Sequence, residues 1–96
     1  MESRLYLINL YDIYGELLTD KQRNYFEDYY FDNLTLEEIS ENYKVSRNAV
    51  HKQLKETEKK LTYYEDTLKI YKKNKKIKEI IKEIDENKRI EIEKFL

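Results

Sequence analysis

The chain has 96 residues, which is enough for one domain and not for two. It contains no cysteine, no proline and one glycine, which excludes disulfide frameworks, thiolate metal sites, glycine-rich phosphate loops and a turn-rich β fold. Charged residues make up 41% of the chain, yet 19 basic and 20 acidic side chains leave a net charge of −1, so the chain is neither a polycation nor an acidic tail.

The charges are spread unevenly along the chain. Residues 1–34 hold 3 basic and 7 acidic side chains, residues 35–61 hold 6 and 5, and residues 62–96 hold 10 and 8. Basic surfaces can therefore form in the middle and late segments despite the near-zero total. The first residues lack the pattern of a signal peptide, and no stretch is apolar for long enough to span a membrane. We therefore expect a cytoplasmic protein.

Two amphipathic helices are predicted in the first third of the chain. Apolar residues at helical spacing predict the first helix over residues 2–14, and Gly15 is expected to end it in the left-handed conformation. Thr19, with Gln22 three residues later, forms a capping box for the second helix, because each side chain can satisfy an orphan backbone N–H of that turn. This helix should run to about Phe31.

The next segment has the pattern of a helix-turn-helix, which we place at residues 35–61. Thr35 and Glu38 form a second capping box at the start of a short helix, and Ser46 is the N-cap of the helix that follows. The turn between the two helices requires a residue with positive φ, usually glycine. Lys44 occupies that position, at an expected cost of about 1 kcal/mol.

An apolar seam extends the fourth helix beyond the turn. Its members are Val50, Leu54, Leu61, Tyr64, Leu68 and Tyr71, with Thr57 in the gap. Nothing between residues 46 and 73 must break this helix, although Thr62 and Glu65 offer a further capping box and hence a break near Leu61. We divide the chain into a helical domain at residues 1–73 and a Lys/Glu/Ile helix at 74–96. Four isoleucines share one face of that last helix, namely Ile77, Ile80, Ile81 and Ile84.

The start of the fourth helix carries the candidate nucleic-acid contacts. They are Ser46, Arg47, Asn48, His51, Lys52 and Lys55. Arginine can bond a guanine edge through two donors, asparagine can do the same with adenine, and lysine suits phosphate. Backbone N–H groups at the helix start can also meet a phosphate. The alternative interpretation is that these side chains form a solvated helix face, which is the common role of exposed basic residues.

Other clusters of charged or aromatic residues have a structural interpretation beside a functional one. Six lysines (Lys69, Lys72, Lys73, Lys75, Lys76 and Lys78) can bind phosphates or form a solvated helix. The tyrosines fall at core spacing, which favours packing over base stacking. Paired carboxylates such as Glu37 and Glu38, or Asp28, come without a nucleophile or a metal-ligand set. The sequence therefore predicts a protein that is not an enzyme and has no cofactor or metal.

Three stretches carry a family resemblance: LTDKQRNYFEDYY at 18–30, TLEEISENYKVSRNAV at 35–50 and KETEKKL at 55–61. They resemble the YlxM-type proteins, small bacterial helix-turn-helix proteins whose genes lie beside those of the signal recognition particle. They are similar, more distantly, to region 4 of sigma factors. The resemblance covers about residues 5–71. It implies an all-α, sigma region 4-like helix-turn-helix bundle and a role in the signal recognition particle pathway. The Lys/Glu/Ile pattern of the last segment adds a long C-terminal helical extension to this fold.

These observations predict a DNA-binding regulatory protein that acts as a homodimer. The expected dimer or partner contacts are Leu61, Tyr64, Leu68, Tyr71, Ile77, Ile81 and Ile84. The alternative is an adaptor that binds signal recognition particle RNA or its GTPase through the six lysines. A third possibility is a protein-interaction module without nucleic-acid binding, which the near-neutral net charge permits.

Overall fold

The computed structural model describes residues 3–96, and within this range every regular element is helical. The α-helices are α1 (Arg4–Tyr14), α2 (Asp20–Tyr30), α3 (Leu36–Tyr43), α4 (Arg47–Leu68), α5 (Ile70–Ile80) and α6 (Glu86–Glu93). Short 3₁₀ turns lie at Gly15–Leu17 and Ile81–Glu83. The predicted all-α class is therefore confirmed. None of the helices in residues 3–96 is long and apolar enough to cross a membrane.

The predicted helix starts are present with their capping hydrogen bonds. The backbone N–H of Gln22 donates to Thr19 Oγ1, and the Thr19 N–H donates to Gln22 Oε1, each at 3.2 Å. Thr35 and Glu38 exchange the same two bonds at 3.1 Å. Ser46 Oγ accepts from the backbone N–H at the third position of α4, at 3.0 Å. The expected start of the first helix at residue 2 lies outside the described residues.

Two buried clusters hold the helices together around α4. The first joins α1, α2 and the middle of α4, and contains Leu7, Leu10, Tyr14, Leu18, Phe26, Tyr30 and Leu61. The second joins α2, α3 and the first half of α4, and contains Tyr25, Ile39, Val50 and Leu54. The helix-turn-helix is thus anchored to α2 through Tyr25.

Gly15 does not end α1 in the left-handed conformation, so that prediction was wrong. Its φ of −55° is right-handed, and the chain continues directly into the 3₁₀ turn. The reason for glycine is space, because a Cβ atom there would lie 3.2 Å from the Tyr11 ring. That ring cannot move away easily, since it stacks on Phe26 with the ring centroids 4.4 Å apart.

The α4 helix continues through Leu61 and ends at Leu68, so both the continuous helix to residue 73 and the break near Leu61 were wrong. Lys69 adopts a left-handed conformation with φ 56°, and α5 starts in a new direction. The start of α5 is held by two buried side chains, Tyr14 of α1 and Glu65 of α4. The apolar seam is therefore divided between α4 and α5 at Lys69.

The C-terminal segment is two helices and not the one expected over 74–96. The chain leaves α5 through the 3₁₀ turn and becomes extended at Ile84 before α6 begins. The four isoleucines do not form one buried face, because Ile81 is buried while Ile80 is 60% exposed. The division at residue 73 remains a prediction, and it falls inside α5.

Replacing Lys44 with glycine is expected to raise the free energy of unfolding by about 1 kcal/mol, since lysine is strained at φ 56° and glycine is not. The left-handed position predicted from the sequence is confirmed here. Urea denaturation followed by circular dichroism measures the change. The matched control is Lys59→Gly in the interior of α4, where the same exchange should destabilise by about the same amount. A loss of stability in Lys44→Gly would contradict the strain.

Candidate nucleic-acid interface

The tight turn between α3 and α4 fixes the geometry of the helix-turn-helix. Lys44 turns the chain, and the Val45 N–H donates to the Ser40 carbonyl at 3.0 Å. Ser40 is buried and small, which lets the turn close against α3. Val45 packs against the second cluster beside Val50 and Ile39, so the crossing of the two helices is locked by apolar contacts.

All six residues predicted to contact nucleic acid are exposed at the start of α4, but they do not form one face. The buried face of α4 carries Val50 and Leu54. At 100° per residue, Asn48 and Lys52 lie opposite that face and point outward. Arg47, His51 and Lys55 lie instead on one flank, where they line a groove against α2.

The groups on this surface differ in how free they are. Ser46 Oγ is engaged in the N-cap of α4. Lys55 Nζ lies 3.5 Å from Glu58 Oε1, and because this ion pair is partly exposed it contributes little compared with a stronger anionic partner. Within residues 3–96, the side chains of Arg47 and His51 make neither a hydrogen bond nor an ion pair. These two side chains can therefore contact a ligand without first breaking an internal interaction.

Two basic residues near this surface were missed by the sequence reasoning. Lys59 is exposed on the outward face, seven residues after Lys52, and this spacing was a usable signal. Arg4 lies at the start of α1, far away in sequence. Its Nη2 donates to the carbonyl oxygens of Tyr30 and Tyr29 at 2.6 and 3.1 Å and thereby closes the end of α2. No local pattern predicts such a contact.

The six lysines form a separate basic surface at the other end of α4. All of them are exposed, and all but Lys69 lie on α5. Because α4 has 22 residues, its length of about 33 Å separates this surface from the candidate contacts at its start.

The residues predicted to contact a partner are also divided. Leu61 is fully buried in the first cluster and Ile81 is 5% exposed, so neither can be reached by a second molecule and these two assignments were wrong. Tyr64 and Tyr71 are half-buried against the first cluster. The remaining three predicted contacts are exposed: Leu68, Ile77 and Ile84.

Two of the three candidate carboxylates, Asp28 and Glu38, have structural roles in this fold. Asp28 Oδ2 accepts a hydrogen bond from the Tyr43 hydroxyl at 3.0 Å, which ties α2 to the end of α3. Glu38 serves the capping box of α3. Across residues 3–96, no three acidic, histidine or cysteine side chains come together as metal ligands.

The capped helices, the tight turn and the exposed start of α4 define a helix-turn-helix protein. A family model described as "Putative helix-turn-helix protein, YlxM / p13 like" matches residues 1–95, and the chain belongs to this family, UPF0122. The resemblance to the YlxM-type family is thus confirmed.

Relatives in several bacteria carry the same family name. A UPF0122 protein of Bacillus pumilus is 46% identical over 77 residues, which are 80% of this chain and 70% of the relative. One from Caldanaerobacter subterraneus is 46% identical over 82 residues, which are 85% of this chain and 70% of the relative. One from Malacoplasma penetrans is 48% identical over 79 residues, which are 81% of this chain and 73% of the relative.

Proposed function

We propose that this protein is a DNA-binding regulator in which α4 enters the major groove. The observation that carries the proposal is the exposed, capped start of α4 on a helix-turn-helix, with Arg47 free of internal partners. In this arrangement Arg47 and Asn48 approach base edges, and Lys52 and Lys55 bind phosphate. His51 lies between Arg47 and Lys55 along α4 and contacts the DNA backbone or a base edge.

A single motif of this size makes few contacts, so we propose that the protein binds DNA as a homodimer. The exposed apolar residues of the second half of the chain supply the contact between copies, with Leu68, Ile77 and Ile84 at its centre. The half-buried rings of Tyr64 and Tyr71 lie at its edge. A dimer presents two α4 helices, and therefore predicts a DNA site with two related halves.

We expect binding to duplex DNA from the neighbourhood of the protein's own gene to weaken steeply with salt. Each phosphate contact changes the slope of log affinity against log salt by about −0.9, so the slope counts the contacts. Fluorescence anisotropy at several salt concentrations measures it. A random duplex and signal recognition particle RNA serve as parallel ligands. Equal affinity for the two duplexes would contradict a sequence-reading regulator.

The second candidate function is an adaptor in the signal recognition particle pathway. The exposure of the six lysines on and beside α5 favours it, because they form a basic surface away from the helix-turn-helix. Charge reversal to glutamate at Lys72, Lys73, Lys75 and Lys76 should abolish RNA binding if this surface is the contact. Under the DNA-binding proposal the same change has little effect on sequence preference. A higher affinity for signal recognition particle RNA than for both duplexes would favour the adaptor function over the DNA-binding function.

A further inference from the structure

A groove lies between the flank of α4 and the end of α2, and its apolar floor is not used when its basic rim contacts DNA. It encloses about 340 Å³. Its floor is apolar and includes Leu7 and Leu54, both nearly fully buried. One wall is aromatic and is formed by Tyr29 and Tyr30. This volume lies within the range of small-molecule sites, which are mostly apolar with a few polar groups at fixed positions.

The rim of the groove is cationic. Arg47, His51 and Lys55 stand one turn apart along α4 and all line it. The acidic lining residue is Glu58, and its carboxylate is already used: it accepts from the Tyr30 hydroxyl at 2.9 Å and pairs with Lys55. Burial and this carboxylate both raise the pKa of Tyr30, so its hydroxyl stays protonated and adds no negative charge. The positive charge of Arg47 is therefore uncompensated.

The groove continues past Arg47 into a second hollow of similar size, about 340 Å³, towards the start of α3. Tyr29, Leu36 and Arg47 line both hollows, so Arg47 stands between them. Arg4 contributes a further positive charge to the second hollow while its donors hold the end of α2. A ligand in the first hollow can thus extend an anionic group along a continuous basic edge.

We propose that this groove binds a nucleoside phosphate, with the base on the apolar floor beside Tyr29 and the phosphates on Arg47, His51 and Lys55. Paired bases in a duplex present only their edges, so duplex DNA uses the basic rim and leaves the apolar floor empty. A simple anion also uses only the rim, and an uncharged apolar ligand only the floor. A flat ring joined to phosphates satisfies both parts, and stacking on an aromatic side chain adds to the affinity.

Isothermal titration calorimetry of the full chain with ADP tests this site without any DNA present. We expect ADP to bind at least tenfold more tightly than adenosine or pyrophosphate, because each of these carries only half of the matching groups. Arg47→Gln should weaken ADP binding at least tenfold. The matched control is Lys52→Gln on the outward face of the same helix, which should change ADP binding less than twofold. Circular dichroism and urea denaturation establish that both variants fold as the parent does.

Absence of ADP binding at millimolar concentration, or equal losses in the two variants, would overturn the proposal. A single-stranded tetranucleotide is titrated in parallel. If it binds through Arg47 more than tenfold more tightly than ADP, the ligand is an unpaired nucleotide of a strand. If it binds no better, the ligand is the free nucleotide. Both results support the same chemistry in the groove.

One consequence of the site rests on the DNA-binding proposal. Arg47 and Lys55 belong to both sites, so ADP should compete with duplex DNA, whereas Lys52→Gln should weaken DNA binding alone. Binding of ADP without binding of any duplex would contradict the DNA-binding proposal and would still support a nucleoside phosphate site in the groove. If ADP does not bind and duplex binding is unchanged in its presence, only the proposal of a nucleoside phosphate site in the groove is contradicted.

Discussion

Replacing Glu65 with alanine is expected to lower the free energy of unfolding by about 3 kcal/mol. Glu65 is 5% exposed, and its carboxylate accepts three hydrogen bonds. The Tyr14 hydroxyl donates to Oε1 at 2.7 Å, and the backbone N–H groups of Tyr71 and Lys72 donate to Oε1 and Oε2 at 3.0 Å. Alanine leaves these donors without a partner at the start of α5 and opens a cavity, and both effects destabilise.

Urea denaturation of Glu65→Ala measures this effect, with Asp66→Ala as the matched control. Asp66 is the next residue on α4 and is exposed, so its replacement should change stability by less than about 0.5 kcal/mol. The free energy of unfolding of Glu65→Gln should lie between those of the two alanine variants, since the amide keeps one acceptor oxygen. If Glu65→Ala and Asp66→Ala unfold at the same urea concentration, the carboxylate does not hold α5.

The same contact predicts a loss of stability at high pH. Burial, and then the Glu65 carboxylate, raise the pKa of Tyr14 from 10.0 to about 12. Below pH 10 the hydroxyl is protonated in both the folded and the unfolded chain, so the stabilisation is complete. Between pH 10 and about 12 the unfolded chain loses this proton first, and stability falls. A Tyr14→Phe variant should show a smaller fall over this interval.

Replacing Arg47 and Lys52 together with alanine should weaken binding to the preferred duplex by about 100-fold, because one base contact and one phosphate contact are lost. Fluorescence anisotropy gives the affinity, and the salt slope should become shallower by about 1. Both side chains are exposed, so the helical content by circular dichroism should stay unchanged.

The matched control for this double variant is Lys73→Ala with Lys76→Ala on α5, which removes the same number of positive charges at the far end of α4. Under the DNA-binding proposal its effect on the preferred duplex is much smaller. If the α5 variant loses more affinity than the α4 variant, the recognition surface lies on the lysines and not on the helix-turn-helix.

Features that depend on residues close in sequence were predictable. The capping boxes at Thr19 and Thr35 and the N-cap at Ser46 each involve groups within three residues, so the sequence alone identifies them. The left-handed turn at Lys44 followed from the short distance between two helix signals. The exposed position of the candidate contacts at the start of α4 was predictable for the same reason, because they follow a cap that the sequence marks clearly.

Features that depend on contacts between distant segments were not predictable. The end of α4 is set by Glu65 together with Tyr14, 51 residues earlier, and no helix-breaking residue marks it. Arg4 closes the end of α2 across 26 residues. The division of the basic residues of α4 into an outward face and a groove-lining flank required the position of α2. Gly15 was misread because its role depends on the stacked Tyr11 ring and not on its own dihedral angles.

The 22-residue length of α4 has a mechanical consequence. This one continuous helix carries Arg47 in its first turn and Glu65 in its last turn, and Glu65 accepts hydrogen bonds from the start of α5. A tilt of about 10° around its midpoint displaces each end by about 3 Å, as follows from a rise of 1.5 Å per residue. Because Glu65 binds the start of α5, a displacement of α5 that tilts α4 would also move the surface proposed to contact DNA.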